Sequence, residues 1–448
     1  MKTSVIVIIA VIVIIVLAAG VYAITLTSTT TTSQVSTTST AASTSPTTTA
    51  VVSNSGSPTT TSTLLTTSTG TATGTPYNIG IMEDETGGVA TFANESIQMA
   101  QIAVNQINAA GGVNGHPLML YSASEVPSAS AAANTLVLND HVQALVGITY
   151  AGDAVSLFPF LSQHQIVTIM TTASNNNLLE NLSSNYAAYQ YFFRITPTDT
   201  QYAQSVVNFS SSVIKPASIY FVAEDLDFAH ELFQNISNNA ASSGITVAGS
   251  TFVPLSQTDF ATTVSSVVAA KPAMVIDAQT GSGAGKFIQE LKANPQAAGI
   301  KILYMSNGAL ADPGFQGFLE QSDHTLLNGV VYQIEAGTLS KPLNNITSSL
   351  ATTYHQVMGP FYPYYSFVSN DYTAVYMIAG ALEKAMTFNA TQIVSDLQTV
   401  TYTGPTGTAQ FNAQHQWTPA FWYTQIQNGT EKVIYPSSYA TGTYNATA

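Results

Sequence analysis

The run nearest to a chemical motif in this chain is Gly281-Ser282-Gly283-Ala284-Gly285-Lys286, glycine-rich and ending in lysine, the composition that cradles a phosphate. A phosphate loop needs a leading glycine where Thr280 stands and a magnesium-binding hydroxyl where Phe287 stands, so the run reads instead as a turn and helix start. The seven histidines, among them His116, His141 and His164, show no paired spacing of the HxxxH kind, and all read as non-ligands. No GxSxG elbow occurs, no Ser, His and Asp set can be assembled, and the absence of cysteine removes thiolate metal sites and cysteine nucleophiles. No enzyme, metal or cofactor is expected, and the chemistry left is capture of a ligand.

Capture needs walls and loops, and the chain supplies both by alternation. Tyr77 to Met82 is an apolar run of strand type, ending at a polar turn and Gly87-Gly88. Ala93 to Ala109 then reads as a helix with Ile97, Ala100, Val104 and Ile107 on one face. Gly111-Gly112 stops it, because glycine accepts the left-handed conformation of a helix end. Strands follow at Leu118 to Tyr121, Ala144 to Ile148 and Ile166 to Thr171, each before a helix-length segment. After Phe193 to Ala203, FRITPTDTQYA, alternation restarts with strands at Ser218 to Ala223, Ile245 to Phe252, Met274 to Asp277 and Ile302 to Met305. Helices start near Ala229, Ala261 and Gly285. This order predicts an α/β protein with parallel sheets and helices on both faces, in two lobes, since about 370 residues exceed what one core serves. Ligands of such sheets lie beyond the carboxyl ends of the strands. The candidate loops are therefore 83–94, 150–153, 171–174, 225–228, 277–281 and 306–308. Hydroxyls at a helix start, as at Thr172 and Ser174, suit an anion, and ordinary N-capping is the plainer reading.

The 448 residues carry a formal charge of -14 with only 8% charged residues, which favours an exported acidic surface over a nucleic-acid binder. Lys2 precedes the apolar run Val5 to Leu26, which fits either a signal peptide or an uncleaved membrane anchor. Residues 27–76 are about two-thirds Thr and Ser and predict a disordered stalk, O-glycosylated or bare. Asn-x-Ser/Thr sequons from Asn94 to Asn445 agree with export without proving it. Together these features resemble an archaeal surface protein, and the scarcity of Lys and Arg would suit an acidic medium.

INAAGGVNGHPL, Ile107 to Leu118, resembles the opening of the extracytoplasmic substrate-binding proteins of branched-chain amino-acid ABC importers. This is the Leu/Ile/Val-binding family, with the type I periplasmic-binding fold. The helix opening Asn370-Asp371-Tyr372-Thr373-Ala374-Val375 and the stretch Thr403-Gly404-Pro405-Thr406-Gly407 to Phe411 resemble two later motifs, so the likeness runs from Tyr77 to about Pro436. It implies two Rossmann-like lobes joined by a three-crossing hinge at Phe193 to Ala203, Gly329 to Ile334 and Phe421 to Ile426. Residues 77–195 and 330–420 would form lobe one, and 196–329 and 421–448 lobe two.

By the same resemblance Phe92 would pack on the ligand, Thr172 and Ser174 would hold an α-carboxylate, and Ala151 replaces a frequent serine. Phe228 stands where the family has a tyrosine, and Thr280 or Gly281 where it has a second aromatic. Asn307 aligns with the acidic residue that binds a ligand ammonium, and an amide carries no charge for it. Asp277, Asp225 or Asp153 would then supply the charge, the alternative for each being a solvated loop or capping carboxylate. The implied function is a solute receptor that captures a small polar molecule, amino acid or amide-like, by hinge closure. The expected partners are an ABC permease and, if the first helix is kept, the membrane, with a monomer and no nucleic acid. A ligand sensor of the same fold and a structural surface protein with a degenerate pocket are the competing readings. The aromatic run Phe361 to Tyr365 reads as a loop before the last large helix.

Overall fold

Short apolar runs without polar alternation must be covered on both faces, and the inner strands they form are. The computed structural model describes residues 61–65, 70–280, 283–305, 326–338, 341–358 and 366–447. Asn307, the aromatic run at 361–365, the turn residues 281–282 and the N-terminal apolar segment lie outside them.

The first sheet holds β1 (Thr63–Leu64), β2 (Tyr77–Glu83), β3 (Leu118–Ser124), β4 (Ala144–Gly147), β5 (Val167–Met170) and β6 (Phe192–Arg194), in the order β1-β3-β2-β4-β5-β6. All pairings from β2 to β6 are parallel, and β1 alone runs antiparallel, on β3. Alternate residues feed opposite cores: Ala144 and Val146 pack with the helices Ala90–Ala109 and Asn370–Ala385, while Leu145 packs with the helix Ala151–Gln163.

The helix Ala90–Ala109 ends as its glycines require. Gly111 and Gly112 take φ of +108° and +71°, and a Cβ on Gly112 would lie 2.3 Å from the His116 carbonyl. Just before them, the Asn108 amide donates to Leu118 O at 2.9 Å and accepts from Leu118 N at 2.8 Å. The phrase INAAGG is thus a clamp between the helix end and the start of β3.

The second sheet comprises β7 (Ser218–Glu224), β8 (Thr246–Val253), β9 (Met274–Asp277), β10 (Lys301–Met305) and β11 (Val331–Glu335). A small hairpin of β12 (Tyr402–Gly404) and β13 (Gly407–Ala409) precedes its last members, β14 (Phe421–Gln427) and β15 (Thr430–Tyr435). Their order is β15-β14-β11-β10-β9-β7-β8. Here too the alternation is strict: Ile219 and Phe221 face one core, Tyr220 and Val222 the other.

Two expectations shift. Val331–Glu335 and Phe421–Gln427 pair antiparallel as full strands of the second sheet. The chain therefore leaves lobe two only after Glu335, beyond the boundary expected at 330, and re-enters before Phe421. The stalk is also shorter than 27–76, since Thr63 and Leu64 pair with Ser122 and Tyr121, and Leu65 N donates to Leu120 O at 2.9 Å. Leu64-Leu65 supplies apolar side chains at that edge, and Leu65 packs against the core of the first sheet.

The third crossing precedes Phe421 instead of spanning Phe421 to Ile426, and the segment 415–417 that makes it lies beside the first crossing. Arg194 N donates to His415 O, Trp417 N donates to Arg194 O, and the Gln416 side chain accepts from Arg194 Nε at 2.6 Å while donating to Thr196 O at 2.8 Å.

Candidate functional site

Each sheet has a point where the strand order reverses, between β2 and β4 in the first and between β7 and β9 in the second. Loops leaving neighbouring strands there diverge and open a crevice. The four loops concerned face one another, and a cavity of about 340 Å³ lies among them.

Lobe one contributes Val89, Phe92, the segment Thr149 to Asp153 and the segment Thr172 to Ser174, and lobe two contributes Asp225 to Phe228 and Thr280. Six of the residues read from the sequence therefore meet: Phe92, Ala151, Thr172, Ser174, Phe228 and Thr280. Asp153 and Asp225, the alternative charges, line it too. The lobes touch around it. A Cβ on Gly88 would come within 2.2 Å of Leu255 across the cleft, Gly152 approaches Asp227 Oδ2, and Asn176 Nδ2 donates to Glu231.

Asp277 is the correction. It is fully buried at the end of β9 and lies outside the cavity lining. Its Oδ1 accepts from Gln279 N and Gln279 Nε2 at 3.2 and 3.0 Å, so it holds the turn that carries Thr280. Burial, partly offset by those bonds, raises its carboxyl well above the ordinary range.

Thr172 and Ser174 do not begin a helix. A single 3-10 turn, Asn176–Leu179, follows, and its cap is Asn175, whose side chain accepts from Asn177 N. Ser174 is tied from behind: its hydroxyl donates to Asp199 Oδ1 at 2.5 Å and its carbonyl accepts from Arg194 Nη1 at 3.3 Å. Burial pushes Asp199 up to about 7 and lowers Arg194 to about 10. Thr172 Oγ1 is buried without a hydrogen-bond partner.

Tyr150 Oη donates to Asp84 Oδ2 at 2.7 Å, and burial followed by that bond raises the phenol pKa. Thr149 Oγ1 donates to Glu83 Oε2 at 2.5 Å, and Thr149 N to Glu125 Oε1 at 3.0 Å. Burial raises Glu83 well above its usual value, with the nearby Asp371 and Glu125 adding to it, and pushes Glu125 up to about 8. Asp153, half-buried in the first turn of its helix, is raised by burial and then by Asp84. Thr280 N donates to the buried Glu224 at 2.7 Å.

Tyr202 and Asp227 line the cavity without having been singled out. Asp227 lies within a candidate loop. Tyr202 follows the first crossing in the motif FRITPTDTQYA, and its place in the cavity depends on how the helix Asp199–Phe209 docks, which no local pattern encodes.

The model of the periplasmic binding protein family matches residues 76–431. Over 311 residues the chain is 22% identical to Leu/Ile/Val-binding protein homolog 3 of Brucella melitensis, covering 68% of this chain and 78% of that one. It is 22% identical over 329 residues to the leucine-, isoleucine-, valine-, threonine-, and alanine-binding protein of Pseudomonas aeruginosa, covering 73% and 83%. Two solved structures share the fold. The branched-chain amino acid transporter substrate binding protein LivJ from Streptococcus pneumoniae, in complex with isoleucine, superposes with TM-score 0.66 at 20% identity over 80% of this chain and 99% of that one. A solute binding protein of an ABC transporter from R. palustris, in complex with 4-hydroxybenzoate, does so with TM-score 0.69 at 14% identity over 83% and 98%.

Proposed function

The chain belongs to the periplasmic binding protein family, and from that membership we propose that it is the extracytoplasmic solute receptor of an ABC importer. The ligand is a small polar organic molecule held between the lobes. The observation that carries this reading is the cavity itself, which sits at both switch points and takes an aromatic wall from each lobe, Phe92 and Phe228. A solute touching both lobes stabilises their closed arrangement, and a permease that recognises only that arrangement receives loaded protein.

Lobe one is assembled from residues 77–195 and the segment after Glu335 to about 420, lobe two from 196–335 and the C-terminal strands. The aromatic walls and hydroxyls bind and orient, and nothing in the role requires a bond to be made or broken. The N-terminal apolar run serves export or anchoring, and the Ser/Thr-rich segment sets the distance from the membrane.

The absence of cysteine in the chain makes a direct test simple. Val155→Cys and Asn238→Cys, on helices of opposite lobes, accept a dye pair that reports the distance between them. Titration with amino acids, amides, short peptides and aromatic acids is expected to shorten that distance and raise the melting temperature for one class. No response to any solute sinks the proposal.

A further inference from the structure

Two adjacent glycines, Gly87 and Gly88, stand in the loop between β2 and the helix Ala90–Ala109, and they lack a side chain for different reasons. A Cβ on Gly87 would meet the Asp84 carboxylate of its own loop at 2.4 Å. A Cβ on Gly88 would instead have three atoms of Leu255 in lobe two as its nearest neighbours, Cδ2 at 2.2 Å, Cγ at 2.7 Å and Cδ1 at 3.6 Å. Gly88 does not take a positive φ, so its own backbone would accept a side chain. What excludes one is the opposite lobe.

Neither partner is free to step back. The peptide groups on either side of Gly88 are held by Asp84, whose Oδ1 accepts from Gly87 N at 2.5 Å and whose Oδ2 accepts from Val89 N at 3.4 Å. Leu255 follows Pro254, which fixes its own φ, in a turn closed by Gln257 N donating to Pro254 O at 2.9 Å. Just before that turn, Val253 O accepts from Asp225 N at 2.8 Å, which ties it to the cavity loop Asp225 to Phe228. Gly88 is likewise joined directly to Val89, a cavity wall, yet neither Gly88 nor Leu255 lines the cavity itself. The neighbouring contacts between the lobes are polar: Gly152 approaches Asp227 Oδ2, and Asn176 Nδ2 donates to Glu231. Water replaces such contacts when the lobes part, whereas Leu255 on Gly88 gains by leaving water.

We propose that Gly88 and Leu255 form the seat on which the lobes close: the bare Cα at 88 admits Leu255 and lets the lobes come near enough to enclose a solute. Both are positioning residues, which set how tightly a solute is held and how fast it leaves without touching it. A side chain at 88 either holds the lobes apart or drives Leu255 from the seat, and both outcomes raise the population of the open state.

This proposal rests on the receptor reading above, and two measurements let them fail separately. In a chain without cysteine, Gly88→Cys with Leu255→Cys places one thiol pair across the mouth. A Cβ at 88 stands 2.7 Å from the γ-atom of residue 255, near the arrangement a disulfide needs. Mild oxidation of the full-length chain without solute is expected to join that pair, read as loss of free thiols in the monomer, and to leave Gly88→Cys with Asn238→Cys unjoined. A pair at 88 and 255 that fails to join, or joins no faster than the control, overturns the seat. The second measurement titrates the dye-labelled chain with four probes, leucine, leucinamide, dileucine and 4-hydroxybenzoate. For each probe that closes the lobes, Gly88→Val is expected to raise the half-closing concentration at least about tenfold, with the ligand-free melting temperature unchanged. Adding Leu255→Ala should recover most of that loss. An unchanged half-closing concentration, or a loss that Leu255→Ala does not relieve, overturns the seat and leaves the receptor standing. No closure by any of the four or by a wider panel overturns the receptor reading, and the thiol pair alone then decides the seat.

Discussion

Tyr150 Oη lies 2.7 Å from Asp84 Oδ2, joining the loop after β2 to the loop after β4 across the reversal point of the first sheet. The same carboxylate accepts from Gly87 N at 2.5 Å and from Val89 N at 3.4 Å. One side chain therefore fixes the loop leading to Phe92 and the segment that begins the helix 151–163.

Asp84→Ala leaves those main-chain donors and the phenol without their acceptor in a buried site, which costs roughly 1–3 kcal/mol. Tyr150→Phe removes one bond and should cost about 1 kcal/mol. Denaturant midpoints give the comparison. Equal losses would mean that the loop is held by something other than Asp84.

Phe92 and Phe228 should separate when truncated. Phe92 is 4% exposed and belongs to the first-lobe core, so Phe92→Ala should lose about 3–5 kcal/mol of stability together with ligand binding. Phe228 is half-buried at the start of its helix. Its alanine variant should lose binding, by calorimetry, with a much smaller change in melting temperature.

The fold should be more stable in acid than in mild alkali. Burial raises Glu125 and Glu335 from 4.5 to about 8, and Asp199 and Asp371 from 3.8 to about 7. A carboxyl whose folded pKa exceeds its unfolded one binds more protons when folded. Its contribution is complete below the unfolded value and is lost as pH rises through the folded one. Melting temperature should therefore fall between about pH 4.5 and pH 8, and Glu335→Gln should flatten the slope. A melting temperature that climbs over that window contradicts the assignment.

Gln416 couples two crossings through Arg194 and Thr196. Gln416→Ala deprives the buried Arg194 Nε of its acceptor, a loss of roughly 1.5–3 kcal/mol for a bond to a charged group. It should also broaden the distribution of inter-lobe distances in dye-labelled protein without ligand. An unchanged distribution would show that the hinge is stiffened elsewhere.

Much of the fold is legible because the inner strands of each sheet are buried on both faces. A strand such as Ala144–Gly147 has no polar side chain and ends one residue before its run ends. Met274–Asp277 was placed to the residue, yet Asp277 was read as facing a ligand. Carrying the alternation one position further assigns its side chain to the face of Val275, beneath the turn, where it lies buried. Ser174 lies at the cleft as its loop predicts, but its partner Asp199 sits within the first crossing on the lobe-two side, and no sequence pattern pairs residues across a change of lobe. The role of Thr280 depends on a contact between strands of one lobe, since Glu224 reaches it from the end of the neighbouring β7, 56 residues earlier in the chain.

The short strand β1 has a mechanical meaning. Thr63 and Leu64 are bonded to the outer edge of β3, so the chain that precedes residue 61 enters the folded part at the rim of lobe one. A pull transmitted along that chain loads a peripheral ladder in shear and bypasses the crossings, the cavity and lobe two. A force applied to that segment would therefore reach lobe one first, through the β1–β3 pairing.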